Sequence, residues 1–200
     1  MPVSNGSRVR RPICKRPAKL PEESSPRNRA GEIIHRIRAL FRNSPLQKAP
    51  VRINELIQDI VALTQRELTR NGVSLKTELD PALPPVFGDR VQLQQVILNL
   101  VVNAIEAMSA ITGRSRELRI RSECDGDGAL VTVRDTGPGL PLFQPERIFG
   151  AFFTTKPDGL GMGLSISRTI IETHGGKLWA THTADGAIFQ FRLPIHAEVA

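Results

Sequence analysis

The sequence predicts an α+β fold of two layers: a mixed, mostly antiparallel sheet of about five strands with helices on one face. Two alternating pairs joined by turn residues point to hairpins, Leu118–Cys124 with Leu130–Arg134 around Gly126-Asp127-Gly128, and Lys177–Thr181 with Ile188–Leu193 through Asp185-Gly186. A further alternating segment, Val73 to Leu79, supplies a fifth strand. Three segments with apolar residues at helical spacing accompany these strands, one before the first strand and two between later ones.

Residues 1–24 combine Pro2, Pro12, Pro17 and Pro21 with dense basic charge and few apolar side chains. Such a composition cannot bury enough surface to offset ordering entropy, so it reads as a disordered leader. Ser25-Pro26 then suits a helix start, and Ile33, Ile34, Ile37, Leu40 and Phe41 form one apolar stripe through residues 25–43. A stripe with no partner in the preceding chain usually seeks another helix or subunit.

Ser44-Pro45 and Ala49-Pro50 mark a linker over 44–53. Asn54 is expected to cap an amphipathic helix running to Arg70 and ended by Asn71-Gly72. After the strand at 73–79, a connection rich in proline (Pro81, Pro84, Pro85) leads to Gly88-Asp89, with Asp89 as cap of a helix reaching Met108. The apolar side of that helix carries two carboxamides four residues apart, Asn99 and Asn103, hence on one face. They either line a polar cleft or bond to neighbouring backbone as structural asparagines.

The strand ending at Arg134 runs into Asp135-Thr136-Gly137-Pro138-Gly139. This places a carboxylate beside backbone free to approach closely, either at a cleft edge or in a tight turn. Residues 140–158 read as loop. Asp158-Gly159-Leu160-Gly161-Met162-Gly163-Leu164 then enters a helix over Ser165–His174, stopped by Gly175-Gly176. Glycines ahead of a helix allow positive φ and offer N–H groups to an anion, although the same pattern also serves as a ligand-free helix entry.

Two hundred residues, 40% of them hydrophobic, suffice for one core. Residues 1–30 hold eight Lys/Arg against two Glu, +6 of the total +7, so the basic charge belongs to the N-terminal tail and not to the domain, which argues against specific nucleic-acid binding. Cys14 and Cys124 have neither disulfide nor metal spacing, and a reducing, cytoplasmic setting is expected. The longest apolar run, Val96 to Ala107, is interrupted by Asn99, Asn103 and Glu106, so no membrane segment is expected.

The order of four motifs resembles the N, G1, F and G2 boxes of the ATP-binding domain of sensor histidine kinases. These are Asn99-x-x-x-Asn103, Asp135-Thr136-Gly137-Pro138-Gly139, Phe152-Phe153-Thr154-Thr155-Lys156 and Gly159-x-Gly161-x-Gly163-Leu164. That superfamily includes gyrase, heat-shock-90 chaperones and mismatch-repair proteins; the resemblance covers roughly residues 50–195 plus the helix before it, with the ATP-binding domain itself at 54–195.

The resemblance implies a Mg-ATP site. Asp135 would accept from the adenine amine, with Gly137 and Gly139 beside it; Asn103 would ligate Mg2+, and Asn99 would line the same face. Gly159, Gly161, Gly163 and Leu164 would form a mobile lid over the phosphates. Lys156, with Thr155 behind it, would meet the γ-phosphate, and Phe152 and Phe153 would anchor the lid by burial. Catalysis by Lys156 and Asn103 would then be a matter of positioning and charge neutralisation. ATP-hydrolysing relatives carry a glutamate base where this chain has Asn99, which cannot act as one, so transfer to an external nucleophile fits better than hydrolysis.

The pattern also departs from the family. No acceptor histidine with its usual acidic and proline signature is evident, and the 25–43 helix resembles the end of a second dimerisation helix, as in an N-terminally truncated kinase. The implied partners are a response regulator or a histidine-bearing dimerisation domain, with homo- or hetero-dimers through Ile33–Phe41. His35 is a poor acceptor, while His174 and His182 match structural positions and His196 falls in the tail, 196–200. Ala187, after Gly186, replaces a small hydroxyl residue, which removes one polar contact worth ~0.5–1.5 kcal/mol. Two other functions fit the same sequence: a non-catalytic ATP-binding module that pairs with a full kinase, and a serine kinase of the anti-sigma type.

Overall fold

The computed structural model describes residues 47–140, 145–154 and 161–195. The leader, the helix expected over 25–43 and the tail lie outside the described residues, as do Thr155, Lys156 and Gly159. Five strands form one sheet in the order β2-β4-β5-β7-β6: β2 (Val73–Leu79), β4 (Arg116–Asp125), β5 (Gly128–Asp135), β6 (Lys177–Thr183) and β7 (Gly186–Pro194). Only the β2–β4 pair is parallel. The sheet is therefore mixed and mostly antiparallel, as the alternation predicts.

Three helices make the second layer: α1 (Ile53–Arg70), α2 (Arg90–Ser109) and α3 (Gly163–Thr173). Alternate β5 residues Ala129, Val131 and Val133 are buried against them, with Leu118 and Ile120 of β4 and Phe189, Phe191 and Leu193 of β7. The central helix, α2, is buried on most sides through Leu93, Val96, Ile97, Leu100, Val101, Ala104 and Met108. It is long and apolar enough to cross a membrane, which the interrupted run in the sequence did not suggest; here most of it lies inside the core.

Two short strands stand apart from the expectation. β1 (Lys48–Val51), inside the stretch read as linker, pairs antiparallel with β3 (Val86–Asp89). Both are four residues long and flanked or interrupted by proline, so neither shows a readable alternation. Their pairing is nevertheless firm, because the Asp89 carboxylate accepts from Gln47 N–H while capping α2 at Gln92 N–H. Asp89 is thus the cap the sequence predicts.

Asn54 is not a cap. The helix begins one residue earlier, after Arg52, without a side-chain cap. From the first turn of α1, Asn54 reaches across instead. Its Nδ2 donates to Asp80 O at 2.7 Å and its Oδ1 accepts from Ser122 Oγ at 2.6 Å, joining the helix start to the ends of β2 and β4.

His174 closes α3 and is buried. Asp89 N–H donates to its Nε2 at 2.9 Å, so the ring proton sits on Nδ1 and goes to Ile170 O at 2.7 Å. Both ring nitrogens are committed. Gly175, at φ +74°, then turns the chain into β6, where a β-carbon-free residue is favoured.

Candidate functional site

Within the helix layer, α2 carries a stripe of small and polar residues, Asn99, Asn103 and Ala107, spaced four apart along one face. At one end of the stripe Asn99, 1% exposed, meets the start of α3. Its Nδ2 donates to Ser167 Oγ at 3.1 Å and to Gly163 O at 3.3 Å, while Ser167 Oγ donates to Gly163 O at 2.9 Å. Asn99 Oδ1 is buried with no hydrogen-bond partner among the described residues. A buried, unpaired acceptor costs about 1–3 kcal/mol, so the site suits a donor or a cation better than an apolar filling. Asn103, one turn on, is half-buried.

At the other end, the loop after β5 packs on Ala107: a β-carbon at Gly137 would come within 3.2 Å of Ala107 Cβ. Asp135, the last residue of β5, is 2% exposed and accepts Gly137 N–H at 2.8 Å. Burial pushes its carboxyl above the usual carboxylate range, partly offset by the N–H groups of Gly137 and Ala187 and by the Arg114 charge. Arg114 also holds the loop from outside, donating to Gly137 O at 2.6 Å. Thr136 Oγ1 accepts from Glu117 N–H and donates to Ser115 O. Gly139, at φ +82°, completes the turn, and Leu140 N–H donates to His182 Nδ1 at 3.1 Å.

The structure thus brings Asn99, Asn103, Asp135, Gly137 and Gly139 along one wall, with Gly163 at its end. Gly161 and Leu164 adjoin it at the entry to α3. Of the described glycines in the lid run, only Gly161 adopts a positive φ (+64°); Gly163 is already helical. Among the described residues no side chain caps α3, and the first N–H groups of a helix suit an anion. Leu164 packs partly against the core.

The two phenylalanines behave differently from the expectation of shared burial. Phe153 packs against the core, but Phe152 is 77% exposed. At φ +66° its backbone turns the ring outward and passes close to Gly161, whose β-carbon would lie 2.5 Å from Phe152 C and 2.7 Å from Phe153 O. Ile148 and Phe149 of a short 3-10 helix (Pro145–Phe149), just before this segment, are both buried. Arg168 of α3 clasps that helix, with Nη1 3.0 Å from Glu146 Oε2 and its guanidinium over the Phe149 ring.

Sequence reasoning missed Ser167 and Arg114. Ser167 lies four residues after Gly163, and a hydroxyl on the same helix face as a buried asparagine's target was a signal, although a serine in a helix reads as neutral. Arg114 sits in an irregular loop, where no periodicity indicates what a side chain will meet.

Residues 88–197 match the family described as histidine kinase-, DNA gyrase B-, and HSP90-like ATPase. The chain is 41% identical over 172 residues to the sensor histidine kinase TmoS of Ectopseudomonas mendocina, covering 84% of this chain and 18% of that protein. It therefore spans about a fifth of that relative's length. Among solved structures, the catalytic domain of histidine kinase ThkA is 37% identical with TM-score 0.66, over 74% of this chain and 97% of that one. ThkA in complex with the response regulator protein TrrA matches at 34% and 0.67, over 86% and 49%. Full-length ShkA in complex with AMPPNP matches at 26% and 0.70, over 87% and 38%. With the matched residues spanning α2, the Asp135 turn, α3 and the last hairpin, the chain belongs to the histidine kinase-, gyrase B- and HSP90-like ATPase family.

Proposed function

We propose that this cleft binds Mg-ATP and that the chain is the kinase part of a two-component sensor, passing the γ-phosphoryl group to a histidine carried by another segment or another chain. The observation that supports it most is the pairing of a buried carboxylate, Asp135, with a polar stripe, Asn99 and Asn103, at opposite ends of one helix face. A base with an exocyclic amine satisfies the first, and an ion with phosphates suits the second. ShkA, similar in fold, is known bound to AMPPNP.

In this reading Asp135 is the acceptor for the amine, and its burial makes that bond count, since a mismatched base would leave the carboxylate unpaired. Asn103 offers a hard carboxamide oxygen to Mg2+, with the orphaned Asn99 Oδ1 nearby to take a donor from its shell. A magnesium ion held there by Asn103 would supply neutralisation of the phosphate charge. Gly161 and the start of α3 give backbone N–H groups to the phosphates, and Lys156 and Thr155 are assigned to the γ-phosphate on the motif alone. In the transfer, an imidazole nitrogen forms the new P–N bond as the bond to the β–γ bridging oxygen breaks, with release of ADP and the imidazole proton.

Asn99 disfavours hydrolysis: its amide is donated to Gly163 and Ser167, and no carboxamide can take a proton from water. A response regulator as downstream partner is supported by the ThkA–TrrA likeness. The cytoplasmic setting belongs to the same reading. The test is incubation with γ-labelled ATP, Mg2+ and an added histidine-bearing dimerisation domain. Acid-labile label on that domain is expected; acid-stable label on serine would show a serine kinase, and binding without transfer a regulatory module.

A further inference from the structure

We propose that His182 is a positioning residue for the base-side wall of the nucleotide cleft. The inference rests on the reading of that cleft as an ATP site and adds to it a residue outside the four motifs. Three strands place His182, Ala187 and Asp135 in one cross-strand row: His182 pairs with Ala187 across β6–β7, and Ala187 pairs with Asp135 across β7–β5. Paired residues in a row face the same side of a sheet, so the imidazole and the buried carboxylate flank Ala187 about 10 Å apart. Ala187 contributes only a methyl group between them.

His182 uses that position to hold the loop. Leu140 N–H donates to its Nδ1 at 3.1 Å, which places the ring proton on Nε2. The ring lies flush on Gly139, where a β-carbon would come within 2.7 Å of both Cε1 and Nδ1 and 3.0 Å of Gly186 O. Gly139 is also held at φ +82°, a conformation other residues adopt with strain. The loop is thus gripped on both sides, by Arg114 at Gly137 O and by His182 at Leu140 N–H. Without the histidine, the Gly139–Leu140 end keeps the partial burial of the Leu140 side chain but loses the side-chain hydrogen bond that fixes its backbone. The wall beside Asp135 would then have to be ordered at the moment of binding, which lowers affinity.

The role is tested with the full chain by three variants and two readouts. His182→Leu removes the acceptor, and His182→Asn keeps one, because the asparagine oxygen reaches a place close to that of Nδ1. Exchange of the Leu140 amide proton, followed by NMR, reads the tether without nucleotide. Titration with ADP and Mg2+ reads its consequence. His182→Leu is expected to speed Leu140 exchange and to weaken ADP binding by roughly three- to ten-fold, with urea stability close to native because the side chain is exposed. His182→Asn should restore both to within about two-fold of native. Gly139→Ala, which collides with the ring, should resemble His182→Leu. Unchanged Leu140 exchange in His182→Leu, unchanged ADP affinity, or a His182→Asn variant no better than His182→Leu would overturn the role. Failure of the native chain to bind ADP would instead remove the reading of the cleft on which it rests.

Discussion

Asn99 Nδ2 lies 3.1 Å from Ser167 Oγ, a buried bond that ties the middle of α2 to the second turn of α3. The carboxamide thereby fixes the start of α3 relative to the polar stripe, and with it the distance between the lid entry and Asn103. Its oxygen is buried without a partner among the described residues, while its nitrogen makes both bonds.

Asn99→Asp should be destabilising. An acceptor-only carboxylate would face Gly163 O and lose the bond to it, at a cost of about 1–3 kcal/mol in urea unfolding. Ser167→Ala should cost about 1 kcal/mol by the same measurement, since one of the two acceptors for Asn99 remains.

His174→Phe tests the joint between β3 and α3. The buried Asp89 N–H would lose its acceptor, and stability should fall by about 1–3 kcal/mol. Nucleotide affinity of the folded fraction should remain near native, because His174 lies at the far end of α3 from Gly163.

The acid-base behaviour of Asp135 gives a signed expectation. Its carboxyl is raised above the ordinary 3.8 by burial, so the native state holds the proton more tightly than the unfolded chain. Its contribution to stability is fully present below the ordinary value and is lost as pH rises through the raised one. Relative to Asp135→Asn, the native chain should therefore lose stability as pH rises above the ordinary carboxylate value and through the raised one, as measured by urea unfolding at each pH. Glu117, lowered by Lys76 and Arg119, and Asp127, lowered by Arg192, act in the opposite sense; both are common to the two proteins and cancel in the comparison.

Gly161→Ala should separate the lid from the core. The new β-carbon meets backbone atoms of Phe152 and Phe153 and sits at a positive φ, so the contact between the two segments must open. Mg-ATP affinity is expected to fall by roughly ten-fold while the urea midpoint moves little, since Phe153 and Leu164 are only partly buried against the core and its largest fully buried side chains lie in other segments.

What could be read from the sequence was whatever repeats along it. Alternation marked all five strands of the main sheet, and the spacing of Asn99 and Asn103 put both on one helix face. Asp89 could be named as a cap because capping is local. Asn54 looked equally good and was wrong, since its partners Asp80 and Ser122 are distant in the chain and outcompete the helix end. Phe152 was misjudged for a related reason: composition says that a phenylalanine is buried, but a left-handed backbone decides where its ring points. β1 and β3 are too short and too near proline for any pattern to show. The hold of His182 on Leu140 spans 42 residues and could be seen only once β6 and β5 were laid beside the same strand.

The central claim is that Asp135 reads the base of a nucleotide in this cleft, and calorimetric titration of Mg-ATP into the native chain and into Asp135→Asn tests it most directly. Saturable binding by the native chain, weakened roughly 10- to 150-fold in the variant with the fold retained by circular dichroism, is the predicted result. Equal affinity in the two proteins would contradict the assignment.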